Sequence, residues 1–231
     1  MIGSFSNKAH SKIRPLCVLS VMLLIQAAAV SVFAQDNVQH EYVDLGLSVK
    51  WATCNVGADK PENAGDHYAW GEVETKGEYT WSNYKFNHLG ELSKYNSDDK
   101  KTSLDPEDDV AHVKWGGSWR MPTHEEFVEL SENCTWTWYK SGNSEFGGVA
   151  GFKVTGKKEG YTDRSIFLPV TEYNNKKDFD PIFSSGYYWS SSINKSVVRD
   201  ANYLTFGFSA NIYTNLCYRR FYGYSVRPVC P

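Results

Sequence analysis

Apolar positions along this chain recur in short runs at intervals of two, bounded by Gly, Pro, Asn and Asp. Residues 41–47 and 49–54 alternate and predict two short strands, and residues 67–73 predict another. In the second half, residues 135–138, 148–155 and 165–170 predict strands, as does the alternation of Tyr187 and Trp189 with Tyr188 and Ser190. Along residues 202–209, Leu204, Phe206 and Phe208 share one face, while Tyr203, Thr205, Gly207 and Ser209 take the other, which points outward. Residues 226–230 close the chain, with Pro228 suiting an edge or terminal position.

Helical spacing is rare. The best case starts at Thr123, an N-cap whose capping box is completed by Glu126. Phe127, Leu130 and Cys134 then fall on one inward face. A second, short helix is expected from Asp105, with Asp105 as cap, Pro106 in the first turn and acids complementing the dipole. Residues 74–102 are polar with scattered Tyr79, Trp81, Tyr84, Phe86 and Tyr95, predicting a long loop pinned by aromatics.

The first 34 residues are set apart from the fold. Lys8, Lys12 and Arg14 precede an apolar core, and Val32-Phe33-Ala34 is a small-residue cleavage pattern, so residues 1–34 read as a secretory signal peptide and residues 35–231 as one domain. The alternative is an uncleaved anchor, against which Gln26, the serines and the alanine run weigh. Once the leader is cleaved, no transmembrane segment is expected. Removing those three cations takes the formal net charge from −3 to −6, and no basic patch points to nucleic acid. All eight Trp and fifteen Tyr remain, the composition of a loop-rich, mainly β domain. So do Cys54, Cys134, Cys217 and Cys230, an even count that in an exported chain suggests two disulfides in any of three pairings. Their spacing offers no zinc pattern. The acids of residues 105–109 and Asp98-Asp99 are potential calcium ligands, but without EF-hand spacing they read as capping residues; no metal site or cofactor is expected.

Six ordered motifs carry a resemblance across nearly all of residues 35–231. They are the stretch from Tyr42 to Gly57, Trp115-Gly-Gly-Ser-Trp-Arg-Met-Pro-Thr123, Cys134-Thr-Trp-Thr-Trp138, Ile166-Phe-Leu-Pro169, Gly186-Tyr-Tyr-Trp-Ser-Ser-Ser192 and Ser225-Val-Arg-Pro-Val229. Together they resemble the Fibrobacter succinogenes major paralogous domain family, itself similar to C-type-lectin-like folds and to the formylglycine-generating (sulfatase-modifying factor) family. The resemblance implies a compact α+β, C-type-lectin-like domain: loop-rich, with short antiparallel strands, one or two helices and neighbouring chain ends. It implies export by a Gram-negative bacterium to the periplasm, outer surface or exterior, and it implies a Cys134–Cys230 bridge that leaves Cys54 with Cys217. It implies no established activity.

Residues 193–222 differ in character from the motifs flanking them. Asn194, Lys195, Arg199, Asp200, Tyr203, Thr205, Asn211, Tyr213, Asn215 and Tyr218 combine broad aromatic contact area with adaptable polar groups, as binding loops do. They are the expected contact surface for a protein or glycan ligand at the cell exterior; the plain alternative is a solvated β-hairpin. Some proteins of the resembled kind are diversified by retroelements in this region. Calcium-dependent sugar motifs are missing, since Lys60-Pro-Glu-Asn63 lacks the acid before its proline. A formylglycine-type oxidase needs a close thiol pair, and Cys217 has no second cysteine four to six residues on. No Ser/His/acid set stands out either, so catalysis is not expected. A structural role in the cell envelope is the remaining class.

Overall fold

Strands of two to eight residues, many paired with distant parts of the chain, make up most of the ordered backbone of the computed structural model, which describes residues 40–171, 185–207 and 211–231. The expected leader, and Phe208 and Ser209 of the strand predicted at 202–209, lie outside these residues. Along the chain come β1 (Tyr42–Val43) and β2 (Lys50–Ala52), then a small hairpin of β3 (Asn87–His88) and β4 (Glu91–Leu92). Helices α1 (Val110–Trp115) and α2 (His124–Asn133) follow, and α2 runs directly into β5 (Cys134–Tyr139). Strands β6 (Gly151–Gly156) and β7 (Ser165–Pro169) complete an antiparallel meander with β5. A second meander consists of β8 (Gly186–Ile193), β9 (Asp200–Phe206) and β10 (Ile212–Arg219), with β9 in the middle. Finally β11 (Val229–Cys230) pairs with the free edge of β2, which places it in one sheet with β1 and β2, on the side of β2 away from β1. Among the described residues this is an α+β fold of small antiparallel sheets and two α-helices.

The expected capping box is present: Thr123 Oγ1 accepts from the Glu126 amide, and Glu126 Oε2 accepts from the Thr123 amide. The same carboxylate receives a two-pronged contact from Arg120, at 2.8 and 2.5 Å, which ties the Arg-Met-Pro-Thr motif to the helix it starts. Phe127 and Leu130 are buried, as their spacing predicts, along with Cys134 at the end of the helix. The acidic stretch is organised differently from expectation. Asp105 makes no cap hydrogen bond and precedes only a single 3-10 turn, whereas Asp109 caps α1, accepting from the Ala111 and His112 amides. Lys94 and Lys101 draw the Asp105 carboxylate away as ion-pair partners.

Two apolar clusters meet at β9. Ala201 and Tyr203 face one, with Trp70, Trp189 and Tyr224, while Leu204 and Phe206 face the other, with Trp51, Phe127 and Phe152. The outward placement expected for Tyr203 and Thr205 is therefore corrected: both are 8 % exposed. An alternating strand has a wet face only where nothing covers it, and a central strand between two cores has none. Residues 67–73 also differ from expectation. They form no strand, only the bridge of Tyr68 to Tyr224, because the adjacent Tyr68, Ala69 and Trp70 are all buried and the period of two is absent. Trp70 is held instead by its ring N–H on the Ser190 carbonyl, at 2.9 Å. The loop 74–102 keeps its aromatic pins, with Tyr79, Tyr84, Phe86 and Tyr95 buried, and the β3–β4 hairpin within it.

Buried hydrogen bonds lock the last motif into place. Arg227 is fully buried and donates to Asn55 Oδ1 and to the carbonyls of Ala52, Thr53 and Phe167, at 2.7 to 3.0 Å. It thereby joins the β2 region to β7 without a carboxylate partner. Trp189, from the Gly-Tyr-Tyr-Trp motif, donates its ring N–H to the Tyr68 carbonyl at 3.0 Å.

Candidate functional site

Among the described residues only one side of β10 is paired, and its side chains are mostly open to solvent. The ladder with β9 shifts register between Tyr213 and Leu216, a bulge at Thr214 and Asn215. Without that shift, residues 213 and 216 would point to opposite faces. With it, Tyr213 lies opposite Thr205, Leu216 opposite Tyr203 and Tyr218 opposite Ala201, all on one face of the sheet. These three side chains are 44, 39 and 42 % exposed. Tyr218 stacks on Tyr222 with ring centres 4.8 Å apart, and Tyr222 stacks on Phe221 at 4.6 Å, which extends the stripe. On the opposite face, Arg219 and Cys217 turn toward Asp200, the guanidinium at 2.9 Å and the thiol at 3.9 Å.

Beside this strand a cleft of about 480 Å³ is built from five separate stretches of chain. One wall is the start of α2, with Thr123, His124 and Glu125; another is the end of β8 and the β8–β9 turn, with Ser192, Asn194 and Lys195. Thr102 and Ser103 close one end, and Asn202 and Asn215 of β9 and β10 form the floor nearest the aromatic stripe. The walls are fixed by hydrogen bonds. Ser192 Oγ accepts from the His124 amide, Asn194 Oδ1 accepts from the Ser196 and Val197 amides, and Asn202 Nδ2 donates to the Ile193 carbonyl.

The expected contact residues thus divide into three groups. Tyr203 and Thr205 are core. Asn194, Arg199 and Asp200 hold structure: Asn194 shapes its turn, Arg199 donates to the Gly90 carbonyl and lies 5.2 Å from the Trp81 ring centre, and Asp200 pairs with Arg219. Lys195, Tyr213, Asn215 and Tyr218 are exposed and available, and Asn211 is exposed beside them. Sequence reasoning missed Leu216, hidden by the bulge, and did not place His124 and Glu125 of the first turn of α2 at the contact surface.

The four cysteines among the described residues are free thiols, with Cys134 and Cys230 buried and Cys54 and Cys217 partly so. Burial pushes the Cys134 thiol up to about 11 and raises those of Cys217 and Cys230. A raised thiol is a poor nucleophile at neutral pH. The carboxylates of Asp105, Glu107 and Asp108 converge closely enough to hold a cation, and the Lys94 ammonium contacts all three, at 2.7, 3.1 and 2.5 Å. Burial drives Asp108 up, but Lys85, Lys94 and the Tyr95 hydroxyl outweigh it and hold the carboxyl below its usual range.

No family model, curated protein or solved structure matches this chain. No helix among the described residues is long and apolar enough to cross a membrane.

Proposed function

We propose that this protein is an exported, non-catalytic binding module of the C-type-lectin-like kind its motifs resemble, with β10 and the β8–β9 turn as its contact surface. The observation that carries this reading is the bulge at Thr214 and Asn215, which lines up Tyr213, Leu216 and Tyr218, half-exposed, on one face of β10, while the neighbouring β9 is buried on both sides. Large, half-exposed aromatics on a rigid support are what recognition surfaces use to gain contact area at low entropic cost. If the surface is diversified, variation belongs at Lys195, Tyr213, Asn215, Leu216 and Tyr218, and not at Tyr203 or Thr205, whose side chains fill the core. The oxidase alternative needs a close thiol pair, and Cys217 has no second cysteine four to six residues on.

The test replaces Tyr213, Leu216 and Tyr218 together with serine and measures binding to immobilised glycans and cell-surface protein fractions, with and without a calcium chelator. Wild-type binding that ignores the chelator and is lost in the triple variant, at an unchanged melting temperature, is the expected result. Equal binding by both proteins would sink the reading.

A further inference from the structure

The cleft beside β10 differs chemically from the aromatic stripe. Glu125 and Lys195 line it from two different elements, the first turn of α2 and the β8–β9 turn, and neither makes an ion pair or hydrogen bond among the described residues. This contrasts with the neighbouring charges, since Arg199, Arg219 and Asp200 are all engaged. The side chains of Asn215, Thr102, Ser103 and Ser196 also line the cleft without an internal hydrogen bond. An asparagine amide offers both donors and an acceptor, the complement of a peptide group, and hydroxyls serve in either role.

Two further observations narrow the ligand class. No Phe, Tyr or Trp ring lines the cleft, although the chain is rich in them, so the broad platform those rings offer a sugar is missing there. The amides of Thr123, His124 and Glu126 are already used by Glu126, Ser192 and Thr123, which leaves the Glu125 amide and the Lys195 ammonium as the cleft's groups for an anion. About 480 Å³ falls in the range of small-molecule sites.

We propose that this cleft is a subsite for a short peptide with free termini. Glu125 takes the ammonium, Lys195 takes the carboxylate, and the asparagine and hydroxyl side chains take the peptide groups between them. The inference rests on the binding-module reading and assigns a ligand class to the part of its surface next to the stripe.

The full chain is titrated by calorimetry at low salt with triglycine, N-acetyl-triglycine, triglycine amide and lactose. Triglycine is expected to bind saturably below roughly 10 mM, a contact of only a few kcal/mol. Each capped form should be weaker by about five- to tenfold, the scale of a charged hydrogen bond partly open to water. Glu125→Gln should abolish discrimination against the acetylated form alone, and Lys195→Met discrimination against the amide alone, both at unchanged melting temperature. No saturable triglycine binding, lactose binding as tightly as triglycine, or discrimination that survives both substitutions would each overturn the proposal. The two readings fail separately. Loss of partner binding in the β10 triple variant together with no triglycine binding removes only the subsite. Triglycine binding with the β10 variant still fully active removes only the stripe.

Discussion

Replacing Arg227 with methionine tests how the two ends of the fold are joined. The guanidinium is fully buried, with four hydrogen bonds to neutral oxygens: Asn55 Oδ1 and the carbonyls of Ala52, Thr53 and Phe167. At about 1.5–3 kcal/mol for each hydrogen bond to a charged group, four bonds amount to about 6–12 kcal/mol. Opposing this is the desolvation of the ion, several kcal/mol in a protein interior, which methionine relieves. Burial also lowers the arginine pKa, a sign that desolvation outweighs the help from surrounding groups. The difference, with four acceptors left behind, predicts a loss of about 4 kcal/mol, close to that of breaking a buried ion pair. Urea unfolding followed by tryptophan fluorescence should show a lower midpoint with an unchanged slope, and melting should fall by roughly 10 °C for a chain of this size. Arg227→Lys should be no better, because a lysine is more strongly hydrated and cannot reach acceptors on both sides. Arg219→Ala, at an exposed ion pair, should cost less than about 1 kcal/mol. If Arg227→Met stayed within about 1 kcal/mol of wild type, desolvation would cancel the four bonds and the joint would not be a source of stability.

Three further outcomes follow from other parts of the structure. Gly186→Ala places a methyl group 2.2 Å from the buried Phe206 ring and should cost about 1–3 kcal/mol, read from the urea midpoint; no loss would mean the ring moves freely. Asp108 has a depressed folded-state pKa, so its stabilisation is present above the unfolded value near 4 and is lost as pH falls through the folded one. Asp108→Asn should cost about 1–2 kcal/mol at pH 7, limited by the solvent exposure of Lys85 and Lys94, and should flatten the decline in stability below about pH 4; an unchanged acid limb would contradict the network. In the chain without residues 1–34, native-state thiol labelling should reach the half-buried Cys54 and Cys217 first and Cys134 last, with four thiols counted after unfolding without reductant; two missing thiols, with Cys134 and Cys230 unlabelled, would instead indicate the bridge that the resemblance implies.

The parts of the fold legible in the sequence are those where one residue pattern has one structural solution. Thr123 and Glu126 form a local hydrogen-bonded box, and the alternation in β5 and β8 survives in their pairing. What could not be read depended on distant partners. Tyr203 and Thr205 point into a core supplied by Trp189 and Tyr224, and only the position of β9 between β8 and β10 reveals that both of its faces are covered. Asp105 looked like the better cap from its neighbours alone, until Lys94 and Lys101 claimed it. The cleft gathers residues 102, 124, 195 and 215, a set no local pattern connects.

The bulge in β10 separates stability from recognition. Ala201, Tyr203, Leu204 and Phe206 each fill a core, so substitutions on β9 disturb packing on one side or the other at about 2–5 kcal/mol for a large-to-small change. One strand further out, Tyr213, Leu216 and Tyr218 are about 40 % exposed, and changes there fall in the range of surface substitutions, about 0.5 kcal/mol. The backbone that positions the stripe is held by pairing with β9, which does not depend on what the stripe carries. A chain built this way can change the chemistry of its outer strand almost without cost to its fold, and a ligand that contacts β10 is read by side chains that the core does not need.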